Sequence, residues 1–322
     1  MGGFGVTFPA RRFVWPLVMV GLAITGLAMA LPGLGDQLVQ SARIIGPMAV
    51  LVTLPGQLLA FLLCAWALSV LHPGVSFISS LASRVLRDAA GNLLVFFPGL
   101  GEAIGARALV LSGGKTRAAI TASTLDVLAE GIAQVPYALL AVMVLPQLIG
   151  ANDSRFSFPV IATVSAALGF VLLIGWRVIR RTSLVTWLRG QWANLRADWV
   201  TRRRGMVVAI ALHFVAWSIG GFQLWAAAHV LGIPLDLLPA IVIDSAAYAA
   251  RAIIFFVPAG LAVQEGALIV ACAAFGIGTV PALALALVLR LRDVICGLPL
   301  LYWPMLEYRH LARSKAGTER NI

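Results

Sequence analysis

Two short stretches of this chain place helix-breaking residues inside strongly apolar sequence. Residues 96–102 read FFPGLGE, and residues 255–260 read FFVPAG, with Glu265 following shortly after. Proline and glycine interruptions at corresponding places in the two halves of a membrane chain are the best sequence indication of a transporter's central site. The competing interpretation is a chance similarity in a chain rich in glycine, proline and phenylalanine. We predict helix breaks at Pro98, Gly99, Pro258 and Gly260.

The composition indicates a helical membrane protein. Hydrophobic residues make up 61% of the chain, charged residues only 11%, and the mean hydropathy is +0.95. A soluble domain has about 25% charged residues. The net charge is +11, but the basic residues flank hydrophobic segments, which is typical of positive-inside topology and contact with anionic lipids rather than of nucleic-acid binding. We expect no metal and no cofactor, because no ligand motif is present.

The number of membrane crossings follows from the apolar segments. A crossing helix needs about 20 mostly apolar residues. The segments that meet this requirement are 14–31, 48–71, 118–149, 158–176, 206–230 and 279–305. Basic residues precede the first segment and follow the last, so both termini are expected in the cytoplasm of a bacterium, with the chain in its inner membrane.

Two further apolar segments are predicted to enter and leave the membrane on the same side. They are 92–111 and 237–276, and each contains one of the proline breaks. If 92–111 crossed once, Lys115 and Arg117 would lie outside, against the positive-inside rule. Non-helical backbone at membrane depth must be buried in protein or line a wet cavity. We therefore predict two re-entrant helical hairpins.

With these hairpins, the chain divides into two halves of the same pattern. Residues 1–150 and 151–322 each read span, span, hairpin, span, but they start on opposite sides, which is an inverted-topology repeat. An interval of 32 residues separates Pro98 from Glu130 and also Pro258 from Arg290, so these two opposite charges are suited to pair across the repeat. The predicted fold is a single all-α polytopic membrane domain over 1–322.

A basic segment joins the two halves. Residues 177–204 contain eight arginines, and leucine and tryptophan recur there at helical spacing. This pattern is typical of an amphipathic helix in the plane of the headgroups. We interpret it as a cytoplasmic linker that rests on the bilayer, in preference to a regulatory lipid sensor. Residues 76–90, with Arg84 and Arg87, are predicted to form a shorter version on the same side.

Charged residues also occur inside the apolar segments. Each costs about 2.5–3.5 kcal/mol at the membrane centre, so they are expected to face a shared interior. Asp126 and Glu130 lie on one helix face, as do Arg290 and Asp293, and two neighbouring carboxylates can carry a proton between them. Structural ion pairing is the alternative. Ion coupling or pairing is predicted for Asp126, Glu130, Asp244, Arg292 and Asp293.

Two motifs resemble those of a known family. The stretch 97–109, with Gly101-Glu102 and Arg107, resembles the first signature of the flippase-like integral membrane domains, which are related to the transmembrane region of lysylphosphatidylglycerol synthases. The stretch 257–266, with Gln264, resembles the second, although Ala259 replaces the usual glycine. The first motif is most similar to the hopanoid-biosynthesis-associated subgroup. The resemblance implies lipid handling by flipping of a headgroup between leaflets. It implies no synthase activity, because an aminoacyltransferase domain is absent from the sequence.

The residues beside the breaks suit an anionic headgroup. Guanidinium forms bidentate bonds to phosphate or carboxylate, and helix N-termini offer free N–H groups. Glu102 and Glu265 are expected either to balance the arginine charges or to bind a cationic or hydroxylated headgroup. The resemblance implies a hopanoid, an aminoacylated phospholipid or a glycolipid as the occupant. The predicted substrate-binding residues are Glu102, Arg107, Arg251, Gln264, Glu265 and Arg290.

Other functions remain open from the sequence. A non-catalytic scaffold for lipid-biosynthesis enzymes would use its charges for structure alone, and a transporter of soluble solutes is a further possibility. An intramembrane lipid-modifying transferase is less favoured, because the acids are not clustered and no DxxD motif is present. We therefore expect no enzyme activity. The Gly101-x-x-x-Gly105 motif permits close helix packing, either inside the chain or in a homodimer.

Overall fold

The described part of the chain is helical throughout. The computed structural model describes residues 33–94, 99–149, 199–253 and 260–309, and all regular elements in these ranges are helices. The predicted spans 14–31 and 158–176, most of the linker 177–204, and the predicted breaks at Pro98 and Pro258 lie outside the described residues.

Ten α-helices are described, and residues 150–198, between the sixth and the seventh, lie outside the described ranges. In chain order they are α1 (Leu34–Ile44), α2 (Pro47–Leu51), α3 (Leu54–Leu71), α4 (Phe77–Leu93), α5 (Leu100–Leu111), α6 (Thr116–Ile149), α7 (Arg203–Val230), α8 (Leu237–Ile253), α9 (Gly260–Ala274) and α10 (Thr279–Gly297). A 3₁₀ turn, Leu298–Tyr302, and a last helical stretch at 303–309 follow α10.

Two stretches are long and apolar enough to cross a bilayer by length and composition. They are Pro47–Leu71 and Arg203–Val230, which correspond to the predicted spans 48–71 and 206–230. The predicted span 118–149 lies within α6, which is one continuous helix, and 279–305 includes α10 and the 3₁₀ turn.

Helices α4 and α5 form a closely packed pair. A Cβ atom on Gly101 would lie 2.6 Å from the backbone oxygen of Arg87, and one on Gly105 would lie 2.9 Å from the Arg87 Cβ atom. The glycines of the predicted close-packing motif therefore face α4 and serve packing inside the chain. Gly99 begins α5 with a φ of 80°, a left-handed conformation that glycine adopts without a steric cost.

The position of α4 differs from the sequence prediction. Residues 76–90 were expected to lie on the membrane surface, but α4 packs against α3, α5 and α10, and Arg84 is only 7% exposed. The helix is amphipathic, as predicted, but its polar face is turned inward. The first helix pair therefore begins at Phe77 and extends well before the predicted start at residue 92.

Helices α8 and α9 form a second pair in the later part of the chain. Together they occupy the predicted segment 237–276, and they pack against each other. We call the first helix of each pair its first arm and the second helix its second arm. The first arms begin at Phe77 and Leu237, and the second arms begin at Leu100 and Gly260, so the same number of residues separates both sets of starts. In both parts of the chain a long helix follows the pair.

Helix α7 lies at the centre of the described structure. It packs against α3, α6 and α8. One apolar cluster joins Leu224 of α7 to Ile243 and Leu285 of α8 and α10, and another joins Met206 to Leu71 and Leu125 of α3 and α6. Many alanines in these clusters are fully buried, and small residues let membrane helices approach closely.

The close approach of α4 and α5 leads to a stability prediction. We expect Gly101→Ala to destabilise the protein by about 1–3 kcal/mol, because the new methyl group meets backbone atoms that cannot rotate away. The matched control is Gly266→Ala, where a Cβ atom has open space; it should be neutral or stabilise by up to about 1 kcal/mol, the helix-propensity difference. Equilibrium unfolding in mixed micelles measures both, and equal stability of the two variants would contradict the packing described here.

Candidate functional site

A polar cavity of about 350 Å³ lies between the two helix pairs and the helices around them. This volume is within the range of small-molecule sites, about 300–1,000 Å³. Its wall carries guanidinium, carboxylate, amide and aromatic groups. The charged wall residues are Arg84, Arg87, Asp88, Glu102, Glu130, Arg251, Arg292 and Asp293, and the main uncharged ones are Gln57, Phe61, Asn92, Gln134, His213, Trp217, Gln223 and Tyr248.

Arg84 connects α4 to α6 at one side of the cavity. Its Nη1 and Nη2 atoms donate to the two carboxylate oxygens of Glu130 at 3.1 and 2.7 Å. Its Nε atom donates to Asp88, one turn further along α4, at 3.0 Å. This is the bidentate geometry in which arginine and carboxylate bind most strongly.

Arg87 connects three helices. It donates to Glu130 at 2.6 Å and to Asp126 at 3.0 Å, both on α6. Its Nη2 atom also donates to Oε1 of Glu102 on α5 at 3.0 Å. One guanidinium and three carboxylates therefore join the α4–α5 pair to α6. We call these four groups, together with Arg84 and Asp88, the α4 network.

A buried histidine extends the α4 network to α7 and α3. His213 Nε2 lies 2.8 Å from Oδ1 of Asp126, and its Nδ1 atom lies 3.5 Å from the sulfur of Cys64. His213 is 1% exposed. The sequence contained no spacing that would bring these residues together, because they come from three separate helices.

A second group of charges lies on α9 and α10. Asp293 accepts hydrogen bonds from Arg290 at 3.1 Å and from Arg292 at 2.7 Å. Arg290 also donates to Glu265 at 2.6 Å, and Arg292 donates to Gln223 of α7. The sequence predicted that Glu130 and Arg290 are suited to pair with each other. In the structure, each pairs instead with residues of its own half of the chain.

An aromatic group adjoins these charges. The hydroxyl of Tyr137 donates to Oδ2 of Asp244 at 2.7 Å, and both residues are buried. The ring of Trp217 lies 6.3 Å from that of Tyr137 in a stacked arrangement and 4.7 Å from that of Tyr248 in an edge-to-face one. Trp217 and Tyr248 give the cavity an apolar surface beside its charges.

Arg251 differs from the other arginines of the wall. Its guanidinium donates to the amide oxygens of Asn92 at 3.3 Å and Gln264 at 3.2 Å. Among the described residues it has no carboxylate within ion-pair distance, whereas Arg84, Arg87 and Arg292 each have at least one. A guanidinium with only neutral partners retains the capacity to bind an anion.

The structure brings together part of the predicted site. Glu102, Glu130, Arg251, Arg292 and Asp293 lie on the cavity wall. Gln264 is buried and contacts Arg251 and Arg290. The remaining predicted side chains lie outside the main wall. Glu265 and Arg290 pair with each other, and Asp126 and Asp244 are buried beside the cavity. Arg107 pairs with Glu307 at 2.8 Å. Gly99 and Gly260 begin the second arms of the two pairs.

The sequence interpretation missed several wall residues. Arg84 and Arg87 were assigned to the cytoplasmic surface because arginines near a span are counted as positive-inside residues. The sequence feature that could have indicated the burial of α4 is a face of small residues, since Ser80, Ser83 and Ala90 share the buried side of this helix. The amides and Trp217 carry no charge and lie in ordinary apolar segments, so nothing in the sequence distinguishes them.

The acidic side chains on the cavity wall are paired with arginines. Within the described ranges, no group of three or more His, Cys, Asp or Glu side chains is placed to hold a metal ion. The carboxylates of the α4 network are held by guanidinium groups instead.

One family model matches most of the chain. The family described as "Lysylphosphatidylglycerol synthase TM region" matches residues 18–300. The chain belongs to this family. Its apolar helices are therefore those of a membrane protein, and family membership gives it a lipid-related function in the membrane. No curated protein and no solved structure matches the chain.

Proposed function

We propose that the protein binds the polar headgroup of an anionic lipid in the central cavity and moves the lipid between leaflets. The observation that carries this proposal is the state of Arg251, whose guanidinium lies on the cavity wall and has only amide oxygens as partners among the described residues. The lipid itself is not altered, so the proposed activity is transport and not catalysis.

A guanidinium in this position favours an anionic ligand. Removing a charge from water costs several kcal/mol unless it is paired and fully hydrogen-bonded. Arg251 is half-buried, and the amide oxygens of Asn92 and Gln264, at 3.2–3.3 Å, carry no full charge to balance it. A phosphate ester supplies the missing charge and matches the planar donor geometry of arginine.

The position of the cavity suits a lipid that must pass through the membrane. Its wall includes residues of α4 and α5 from the first helix pair and of α8 from the second. We take the two pairs as re-entrant hairpins of an inverted repeat, which places the headgroup near the membrane centre. The acyl chains would stay in hydrocarbon, and rocking of the two halves would expose the cavity to one leaflet and then the other.

The proposal extends to the partners and the cellular location of the protein. Its partners are polar-headed or anionic membrane lipids, and enzymes of lipid biosynthesis would act before or after it. We propose that both termini lie in the cytoplasm of a bacterium, with the chain in the inner membrane, because basic residues flank the first and last apolar segments.

Arg251→Gln tests the proposal. We expect a loss of lipid movement of about ten- to a hundredfold, because a hydrogen bond to a charged group contributes about 1.5–3 kcal/mol. The full chain is reconstituted in vesicles that contain fluorescent phosphatidylglycerol, and the rate at which dithionite quenches inner-leaflet lipid is measured.

The matched control is Arg117→Gln, which removes one guanidinium at the exposed start of α6, away from the cavity. This variant should move lipid at the wild-type rate. If the folded Arg251→Gln protein also did so, the headgroup site would be wrongly assigned. If the wild-type protein moved no lipid in any vesicle composition, a scaffold role would replace transport.

A further inference from the structure

The charges on the cavity wall are balanced, and most of them are already engaged. Within the described ranges, the wall carries four arginines and four carboxylates. Asp88 and Glu130 accept from Arg84, Glu102 accepts from Arg87, and Asp293 accepts from Arg292. Each carboxylate therefore has a guanidinium partner, so a cationic headgroup would have to compete for it. Of these eight, Arg251 alone has no partner of opposite charge in the part of the chain that the structure describes.

Neutral amides supply the hydrogen-bonding capacity that remains. The side chain of Gln57 makes no hydrogen bond within the described part of the chain, although it lies on the wall. Asn92, Gln134 and Gln223 each use one end of the amide, to bind Arg251, the Tyr248 carbonyl oxygen and Arg292 respectively. The opposite ends have no hydrogen-bond partner among the described residues. The wall thus offers both neutral donors and neutral acceptors.

The chemical character of the ligand follows from this combination. A hydroxyl group donates one hydrogen bond and accepts others, whereas an ammonium only donates and a phosphate oxygen only accepts. Neutral donors and acceptors on one wall are therefore matched best by hydroxyls. The rings of Trp217 and Tyr248 add an apolar surface for the carbon atoms that carry them.

From these contacts we infer that the cavity selects a lipid whose headgroup joins one phosphate to free hydroxyls, as in a glycerol or sugar phosphate, over a lipid with a cationic headgroup. The inference rests on the proposed function, since Arg251 holds the phosphate. Gln57, Asn92, Gln134 and Gln223 then bind the hydroxyls, and the paired carboxylates stay with their arginines.

Two soluble headgroups of similar size test the selection. Glycerophosphoglycerol ends in hydroxyls, and glycerophosphoethanolamine ends in an ammonium. Calorimetric titration of the full chain in detergent should show about tenfold tighter binding of glycerophosphoglycerol, the equivalent of one or two net hydrogen bonds. Equal affinities, or tighter binding of glycerophosphoethanolamine, would overturn the inference.

Variants separate this inference from the proposed function. Gln57→Leu breaks no hydrogen bond of the described structure, so it should fold, weaken glycerophosphoglycerol about fivefold, and change glycerophosphoethanolamine less than twofold. The control Gln40→Leu, on the exposed face of α1, should change neither. Arg251→Gln should weaken both ligands. If Arg251→Gln weakens binding but Gln57→Leu does not, the inferred selection for hydroxyls is wrong and the anion site stands. If Arg251→Gln leaves both affinities unchanged, the proposed function is wrong.

A third titration shows whether the bound headgroup belongs to a lipid or to a soluble molecule. Dioctanoyl phosphatidylglycerol carries the same polar group on two short acyl chains. It should bind at least tenfold tighter than glycerophosphoglycerol, because each buried CH₂ group contributes about 0.8 kcal/mol. Equal affinities would make the ligand a soluble phosphate ester and would overturn the assignment to a lipid.

Discussion

Arg87→Met should destabilise the protein by about 3–5 kcal/mol, the usual cost of removing one partner from a buried ion pair. Arg87 donates to Asp126, Glu130 and Glu102. Its loss leaves Asp126, which is almost fully buried, with the His213 ring at 2.8 Å and, as its nearest guanidinium among the described residues, Arg84 at 3.8 Å. Equilibrium unfolding in mixed micelles gives the change in free energy.

A double variant shows whether uncompensated charge causes the loss. Replacing Glu130 with Gln in the Arg87→Met background removes one of the stranded carboxylates, so it should recover part of the stability, although Glu130→Gln alone is destabilising. Such non-additivity is expected for residues of one network. The control Arg43→Met, at the exposed end of α1, should change stability by less than about 0.5 kcal/mol. Additive effects of the two substitutions would contradict the network.

Asp293→Asn should have the next largest effect, a loss of about 3 kcal/mol, at the lower end of the range for a broken buried pair. Asp293 is the carboxylate partner of the buried Arg292, and an asparagine oxygen would replace it without the charge. Arg290 is less affected, because it keeps its ion pair with Glu265 at 2.6 Å. The change should also loosen the cavity wall at Gln223, which Arg292 orients.

Two comparisons isolate the contribution of burial. Glu265→Gln removes a carboxylate from the same group, but its side chain is 38% exposed, so the loss should be no more than about 1 kcal/mol. Asp236→Asn, in the exposed turn before α8, should have almost no effect. If Asp293→Asn and Glu265→Gln lost the same stability in micelles, burial would not be the cause.

The membrane class and five of the eight charged residues on the cavity wall were accessible from the sequence. Composition alone predicts an all-α membrane protein, and the family match agrees. The cost of a charge in hydrocarbon singled out Glu130, Arg251 and Asp293, which all lie on the cavity wall. This rule works because it depends on the composition of a segment and not on where its neighbours pack.

The partners of these charges could not be predicted in the same way. Arg84 and Arg87 look like surface arginines in the sequence, and only the packing of α4 against α3 and α10 turns them inward. Tyr137 and Asp244 are separated by more than a hundred residues and meet through the contact of α6 with α8. Amphipathicity gives the polar face of a helix but not the side to which that face is turned.

The hydrogen bonds between Arg107 and Glu307 have a different consequence from those of the interior. The two side chains are 39% and 28% exposed, and a pair of this kind is worth at most about 1 kcal/mol. At that strength it is open in roughly one molecule in six at room temperature. Thermal motion alone therefore opens this ion pair, and the apolar contact of Trp303 with the cluster around Ile104 and Ala108 still holds α5 against the last described turn of the chain.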